Sequence, residues 1–248
     1  MARRGYKGRL MPQPLLAKPT KIVLTGGSSG IGAVLRDRLL AEGHSLIILA
    51  RRASELAPHP RLTPMVCDLA DSAAVRAAVQ HIGQDHRDTA MLINNAALQY
   101  AYLLTHEDFD PAMMEREAAI NLLAPALLAH GLFPVLRLHG GASAIVNISS
   151  GLAFFPKQTS ALYCATKAGL HSFSQSLRWQ IEGDGIDVIE AILPLVDTPM
   201  THGRGTGKLS PDFAALAIIA GIKARRAASR ICSKSRSSWR CCSPAPFC

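Results

Sequence analysis

Aromatic side chains make up only 5% of this 248-residue sequence. Its core must therefore be built from Ala, Leu, Ile and Val. Apolar residues reach 48%, which excludes wholesale disorder. At this length they fit one α/β domain better than two. Acidic residues are missing from both ends. Residues 1–21 hold six Lys/Arg and no acid, and residues 223–248 hold seven and no acid. The tails thus take 13 of the 27 basic residues, and the middle keeps 14 against 18 acids, a net charge of −4. The overall +9 is a property of the tails. Neither tail interleaves aromatics with its cations as a single-strand nucleic-acid binder does, so no nucleic-acid partner is expected.

Other absences narrow the class further. No apolar stretch follows the basic start, which does not read as a signal peptide. Only Cys67 and Cys164 lie outside the last 17 residues, where Cys232, Cys241, Cys242 and Cys248 gather. That distribution reads as a reducing, cytoplasmic setting rather than a disulfide framework. Nine histidines lack ligand spacing: His106 has no second His four residues on, and no metal is expected. Residues 118–136 are uncharged, long enough to span a membrane, but contain Asn121, Pro125, His130 and Pro134. A helix buried in an α/β domain is the better reading, with no membrane partner.

What is present is an alternation of two periodicities. Short apolar runs at 21–25, 45–49, 61–66, 91–93, 144–148 and 186–192 read as strands. Pro64 marks the third as an edge. Helical patterns cover 31–42 (closed by Gly43), 71–82, 111 to about 131, 160–182 and 211–223. Asp110 and Pro111 supply an N-cap and a first helical position. Such alternation predicts a parallel sheet with helices on both faces, a Rossmann-type doubly wound α/β fold over residues 20–223. Residues 1–19, with three prolines, read as a loose extension. Residues 224–248 read as a basic, Cys/Ser-rich, disordered tail, with at most one short edge strand at 227–232.

Three sites carry chemistry. Thr25-Gly26-Gly27-Ser28-Ser29-Gly30-Ile31-Gly32 follows a strand and opens a helix. Glycines there allow a tight turn, so that a pyrophosphate can sit at the helix N-terminus. After the second strand, where a free ribose hydroxyl would call for Asp or Glu, the chain has Arg51 and Arg52. Guanidinium matches a 2′-phosphate by charge and paired hydrogen bonds, so NADP(H) is expected over NAD(H); exposed loop charge is the bland alternative. Finally, Tyr163 and Lys167 are four apart on a helix and share a face, with Ser150 ending a strand 13 residues earlier. Cys164 points off that face and reads as packing.

Taken together, TGGSSGIG at 25–32, CDL at 67–69, NNAA at 94–97, Asn121, SS at 149–150, YCATK at 163–167 and PLVDTP at 194–199 resemble the short-chain dehydrogenase/reductase family over about residues 20–200. The resemblance implies a sheet in the order 3-2-1-4-5-6-7 and a homodimer or homotetramer. It implies a catalytic set of Asn121, Ser150, Tyr163 and Lys167. It also implies a cofactor lined by Gly26, Ser28, Ser29, Gly30, Ile31 and Gly32, with Asp68 and Leu69 near the adenine. Asn95 would lie behind the nicotinamide ribose and Thr198 near the carboxamide, with Ala96, Pro194 and Val196 also binding the cofactor. Three departures stand out. Ala97 and Leu195 replace usual glycines, and the C-terminal sequence does not resemble the family's last strand.

The reading is an oxidoreductase passing a hydride between NADP(H) and a carbonyl or secondary alcohol. Its alternative is a silent NADP(H)-binding sensor or scaffold. A cation about 4 Å from a phenol, at an effective dielectric of about 20, is worth about 4 kcal/mol, or about 3 pKa units. Lys167 and an oxidised nicotinamide are thus expected to bring Tyr163 toward neutrality as general acid and base. Pro125 has no N–H to bond the carbonyl of Asn121, so a break in the helix is expected there.

Overall fold

The computed structural model describes residues 14–107, 109–139 and 142–231. Seven parallel strands form one sheet: β1 (Lys21–Thr25), β2 (Ser45–Ala50), β3 (Leu62–Val66), β4 (Thr89–Asn94), β5 (Ser143–Ser150), β6 (Ile186–Leu193) and β7 (Ala228–Arg230). Their order is β3-β2-β1-β4-β5-β6-β7. β1, β2 and β4 are buried almost throughout, which is why they read as continuous apolar runs rather than alternations. β3 alternates and leaves Val66 exposed, as befits an edge.

Helices α1 (Gly30–Ala41) and α6 (Pro211–Lys223) cover one face, joining Leu24, Ile48 and Val146 in one core. Helices α2 (Ser72–Asp85) and α4 (Ala124–Arg137) cover the other, around Val23, Leu92 and Ile145. Between α2 and α4 come α3 (Pro111–Ala118) and a π-helical turn, Ala119–Leu123. Helix α5 (Ala161–Gln180) packs on β5 and β6. The chain winds outward from β1 to β3, then crosses back to β4 and on to β7. The reversal between β1 and β4 opens a crevice at the C-terminal edge of the sheet.

Several boundaries differ from the sequence reading. The helical run of residues Pro111–Arg137 passes through Gly131 instead of ending near it. A Cβ at Gly131 would collide with Val79, so this glycine lets α4 lie close on α2. By length and composition that run is apolar enough to cross a membrane. Here Leu128, Leu132 and Leu136 are fully buried in the core. The N-terminal margin is tighter than the expected loose extension, because Leu15 and Leu16 are buried in the first core. The C-terminal margin also extends beyond residue 223. β7 pairs with β6 from Glu190 to Ile192, and Ile231 is buried. Arg225 pairs with Asp187 at 2.6 Å, and Arg178 donates to the Ala227 carbonyl at 2.8 Å. The expected disorder of residues 233–248 lies outside the described residues.

Candidate active site

The glycine turn after β1 is shaped by what side chains would obstruct. Gly26 has φ +70°, and a Cβ on it would lie 2.9 Å from the Ala96 Cα. A Cβ on Gly32 would collide with the Gly26 carbonyl and the Asn95 amide. Asn95 does more here than the resemblance implied. Its Nδ2 donates to the carbonyls of Thr25 (3.0 Å) and Gly26 (3.3 Å). The Thr25 hydroxyl in turn accepts from the backbone N–H groups of Asn95 (3.0 Å) and Ala96 (2.9 Å). The two strand ends are thereby stitched together at the point of reversal. Ser28, Ser29, Gly30 and Ile31 complete the turn. Helix α1 starts with no acidic residue in its first turn and no side-chain cap. Its first N–H groups therefore face the crevice with partners still to be found, an arrangement suited to an anion.

Arg51 and Arg52 leave β2 exposed and line the same cavity of about 660 Å³. Arg52 lies 3.9 Å from Glu55, a surface pair. Asp68 and Leu69, after β3, form the neighbouring wall. Arg116, which the sequence reading did not single out, grips both oxygens of Asp68 at 2.8 and 3.1 Å. Partial burial works against the Asp68 charge. Hydrogen bonds from Arg116 and the Ala70 N–H, with the charges of Arg116 and Arg51, still hold its carboxyl below the usual range. No sequence spacing links residues 68 and 116; only the fold brings them together.

At the other end of the crevice three of the four residues expected to be catalytic, Ser150, Tyr163 and Lys167, line the cavity from β5 and α5, while Asn121 stands behind it and does not line it. Ser150 ends β5, and its Oγ accepts from the Leu152 N–H at 3.1 Å. Tyr163 and Lys167 lie one turn apart on α5, both buried, with the Lys167 Nζ 5.7 Å from the Tyr163 ring centre. That Nζ donates to the Ile148 carbonyl at 2.8 Å. Asn121 sits in the π-helical turn, where the Ala124 N–H reaches back five residues to the Ala119 carbonyl. The break expected from Pro125 is thus a widened turn one residue before the proline. Asn121 clamps the chain after β4: its Oδ1 accepts from the Leu98 N–H and its Nδ2 donates to the Leu98 carbonyl, both at 2.8 Å. The same Nδ2 donates to Thr166 on α5 at 3.2 Å.

The electrostatics correct one expectation. Burial pushes the Tyr163 phenol up to about 12, against the opposing effect of the Ser150 side chain. Burial also lowers Lys167 to about 8, with Glu190 pulling it back up. Burial of the phenol outweighs what lowers it, so the expected move of Tyr163 toward neutrality does not come from the chain's residues without the cofactor. Cys164 is buried, and its Sγ accepts from the Lys157 N–H at 3.4 Å, a packing role as expected.

Pro194, Val196 and Thr198 follow β6 and line the cavity. Val196 bridges to Leu209, and Asp197 N–H donates to the Leu209 carbonyl at 2.8 Å. Thr198 caps the short helix Pro199–Thr201 in a capping box. Its methyl group lies 3.4 Å from where a Cβ on Gly30 would stand, so the loop after β6 closes over the glycine turn.

A sequence model described as short chain dehydrogenase matches residues 20–208. The chain belongs to the short chain dehydrogenase family. Among relatives in that family, the uncharacterized oxidoreductase DltE of Bacillus subtilis is 36% identical over 185 residues, 73% of each chain. Sulfoacetaldehyde reductase 2 of Chromohalobacter salexigens is 29% identical over 193 residues, 75% of this chain and 76% of its own. A solved short chain dehydrogenase from Burkholderia cenocepacia, in complex with NADP, matches with a TM-score of 0.80 at 24% identity over 88% of this chain and 90% of its own. One from Sphingobium yanoikuyae, in complex with NADPH, matches at 0.73 with 26% identity over 85% and 87%. The chain is thus an oxidoreductase-family protein with a Rossmann-type sheet.

Proposed function

We propose that this dehydrogenase-family chain uses NADP(H) to interconvert a carbonyl and a secondary or primary alcohol, with Tyr163 as proton donor and acceptor. The observation that carries the reading is the meeting of Ser150, Tyr163 and Lys167 in one cavity with the glycine turn and Arg51. The residues fit a dinucleotide. The start of α1 has its N–H groups uncapped, the turn has no side chain to block approach, and a guanidinium pair stands where a 2′-phosphate would lie. Gly26, Ser28, Ser29 and Gly30 would hold the pyrophosphate, and Arg51 the 2′-phosphate. Thr198 and Val196 would border the nicotinamide. When bound, the cofactor supplies or takes the hydride.

The chain's own part is orientation and proton transfer. Ser150 would hold the substrate oxygen as charge develops on it. Tyr163 is protonated at neutral pH, which suits it to donate a proton to that oxygen in the reducing direction. Lys167, held by the Ile148 carbonyl, places positive charge beneath the phenol. Asn121 acts at one remove by fixing Leu98 and Thr166. NADP and NADPH in the two solved relatives, and the carbonyl named for the Chromohalobacter reductase, support the reading.

The test is turnover of a panel of aldehydes and ketones with NADPH and with NADH. NADPH should give the lower KM. In Tyr163→Phe, reduction should be lost while NADPH still binds, because the ring keeps its packing and only the hydroxyl goes. Residual kcat within about tenfold of wild type would remove Tyr163 from the chemistry. Equal KM values for the two cofactors would remove Arg51 and Arg52 from cofactor choice.

A further inference from the structure

The half of the cavity nearest β4, β5 and β6 contains a cation that the proposed reaction does not use. The sequence after β6 reads His202-Gly203-Arg204-Gly205-Thr206-Gly207. Gly203, Gly205 and Gly207 all take positive φ (71°, 61° and 68°), so the loop turns sharply on both sides of Arg204. Arg204 lines the cavity and is half-buried. Its Nη1 donates to the Gln99 Oε1 at 3.0 Å, and no carboxylate among the described residues pairs with it. Gln99, after β4, donates from its Nε2 to the Ser160 Oγ at 3.1 Å. Ser160 stands one turn before Tyr163 at the start of α5. The chain Arg204–Gln99–Ser160 thus ties the β6 loop to the start of α5, the helix that carries Tyr163. Lys157 lines the same wall.

A guanidinium has five N–H donors and a full charge, and a neutral amide takes one hydrogen bond and none of the charge. The cavity wall contains one acid, Asp68, and that is gripped by Arg116 beyond the opposite end of the sheet. β6 lies five strand spacings from β3, about 24 Å at 4.8 Å each, so Asp68 does not compensate Arg204. An uncompensated, partly desolvated cation in the same cavity as Ser150 and Tyr163 selects for negative charge on the substrate. The part of the β6 loop that meets the glycine turn is Thr198 and Pro199, whereas Arg204, further along that loop, is held by Gln99 after β4, and the arginine pair that faces the cofactor follows β2.

From this geometry we infer that Arg204 binds an anionic group, carboxylate or sulfonate, on the carbonyl substrate, with Gln99 presenting its guanidinium. The inference rests on the carbonyl-reductase reading and deepens it. Gln99 is a positioning residue here, and Arg204 sets specificity.

The experiment compares levulinate with methyl levulinate, the same ketone with and without its charge, and adds sulfoacetaldehyde as a sulfonate arm. Wild type should favour levulinate over its ester by at least about tenfold in kcat/KM. Arg204→Gln should raise KM for the anions about 10- to 150-fold, the effect of one charged hydrogen-bonded partner, and leave kcat and KM for the ester within about threefold. Arg204→Lys should restore part of the preference, which a merely folded scaffold would not do. Equal use of acid and ester by wild type, or equal loss of both in Arg204→Gln, would overturn the inference and leave the reductase reading intact. If wild type reduces neither, turnover of the wider carbonyl panel decides the reductase reading. The anion site is then decided by melting the NADPH-mixed protein with each compound: protection by levulinate but not the ester, lost in Arg204→Gln, supports it, and no difference overturns it.

Discussion

Lys167 shows how a single buried charge links fold, function and pH. An ammonium removed from water loses solvation that one carbonyl contact at 2.8 Å and the field of Glu190 only partly return, so its proton is held to about 8. In the unfolded chain the same amine titrates near its ordinary 10.5. Between those values the unfolded state binds a proton that the folded state does not, so stability rises with pH there. Below about 8 both states are charged and the burial cost is fully present. Lys167→Met removes this dependence. Denaturant unfolding at about pH 7.5 and about pH 10 should show wild type gaining about 2 kcal/mol relative to the variant. A constant difference between the two proteins would mean that the lysine keeps its proton through the folded state. The opposite shift of Tyr163, up to about 12, acts only above the ordinary phenol range and is common to both proteins. Lys167 and Tyr163 were legible as a pair from their spacing. Their mutual electrostatics were not, because desolvation depends on what the fold packs around them.

Glycines at 26, 30 and 32 were legible as a turn because only a strand before and a helix after give such a cluster a use. What each glycine avoids is visible only in three dimensions. Gly26 and Gly30 need left-handed backbone, at +70° and +54°. Gly32 needs space, between the Gly26 carbonyl and the Asn95 amide. Gly32→Ala should therefore push α1 away from β4 and break the two Asn95 bonds that tie β1 to β4. Overpacking of this kind costs about 1–3 kcal/mol, so the urea midpoint should fall and NADPH titration should show weakened binding. Unchanged midpoint and affinity would show that the loop yields freely. The same limit explains Gly131, which the sequence suggests as a helix end and the structure uses to bring α4 against Val79. It also explains Pro125, whose missing N–H announces a break but not that the break takes the form of a π-helical turn carrying Asn121. Arg204 had a faint signal in its alternating glycines. Its link to Gln99 spans 105 positions in the chain and had none.

Across the whole molecule, the least legible part was where the domain stops. Composition changes near residue 224, and a basic segment rich in Ser and Cys resembles a solvated tail. Three residues of β7 nevertheless complete the sheet, because a parallel edge strand needs only backbone groups and a buried face, here that of Ser229 and Ile231. Arg225 meets Asp187 at 2.6 Å, Glu190 N–H donates to the Ala227 carbonyl at 3.0 Å, and Ile231 N–H to the Ile192 carbonyl at 3.0 Å. Ser229 and Ile231 are buried, and Gly221 on α6 leaves room for the Ser229 side chain, since a Cβ there would stand 2.7 Å from its Oγ. The pairing includes Glu190, whose charge acts on Lys167. Two truncations separate the packed β7 segment from residues 233–248. Ending the chain after Lys223 exposes the β6 edge and the inner face of α6, and should lower the melting temperature and favour aggregation through the bare strand. Ending it after Cys232 keeps β7, its ion pair and the burial of Ile231, and should leave melting and NADPH-dependent turnover near wild type. If the shorter chain melts like the full one, β7 contributes nothing to stability. If ending after Cys232 is as damaging as ending after Lys223, residues 233–248 pack against the domain, and its C-terminal limit lies beyond Cys232.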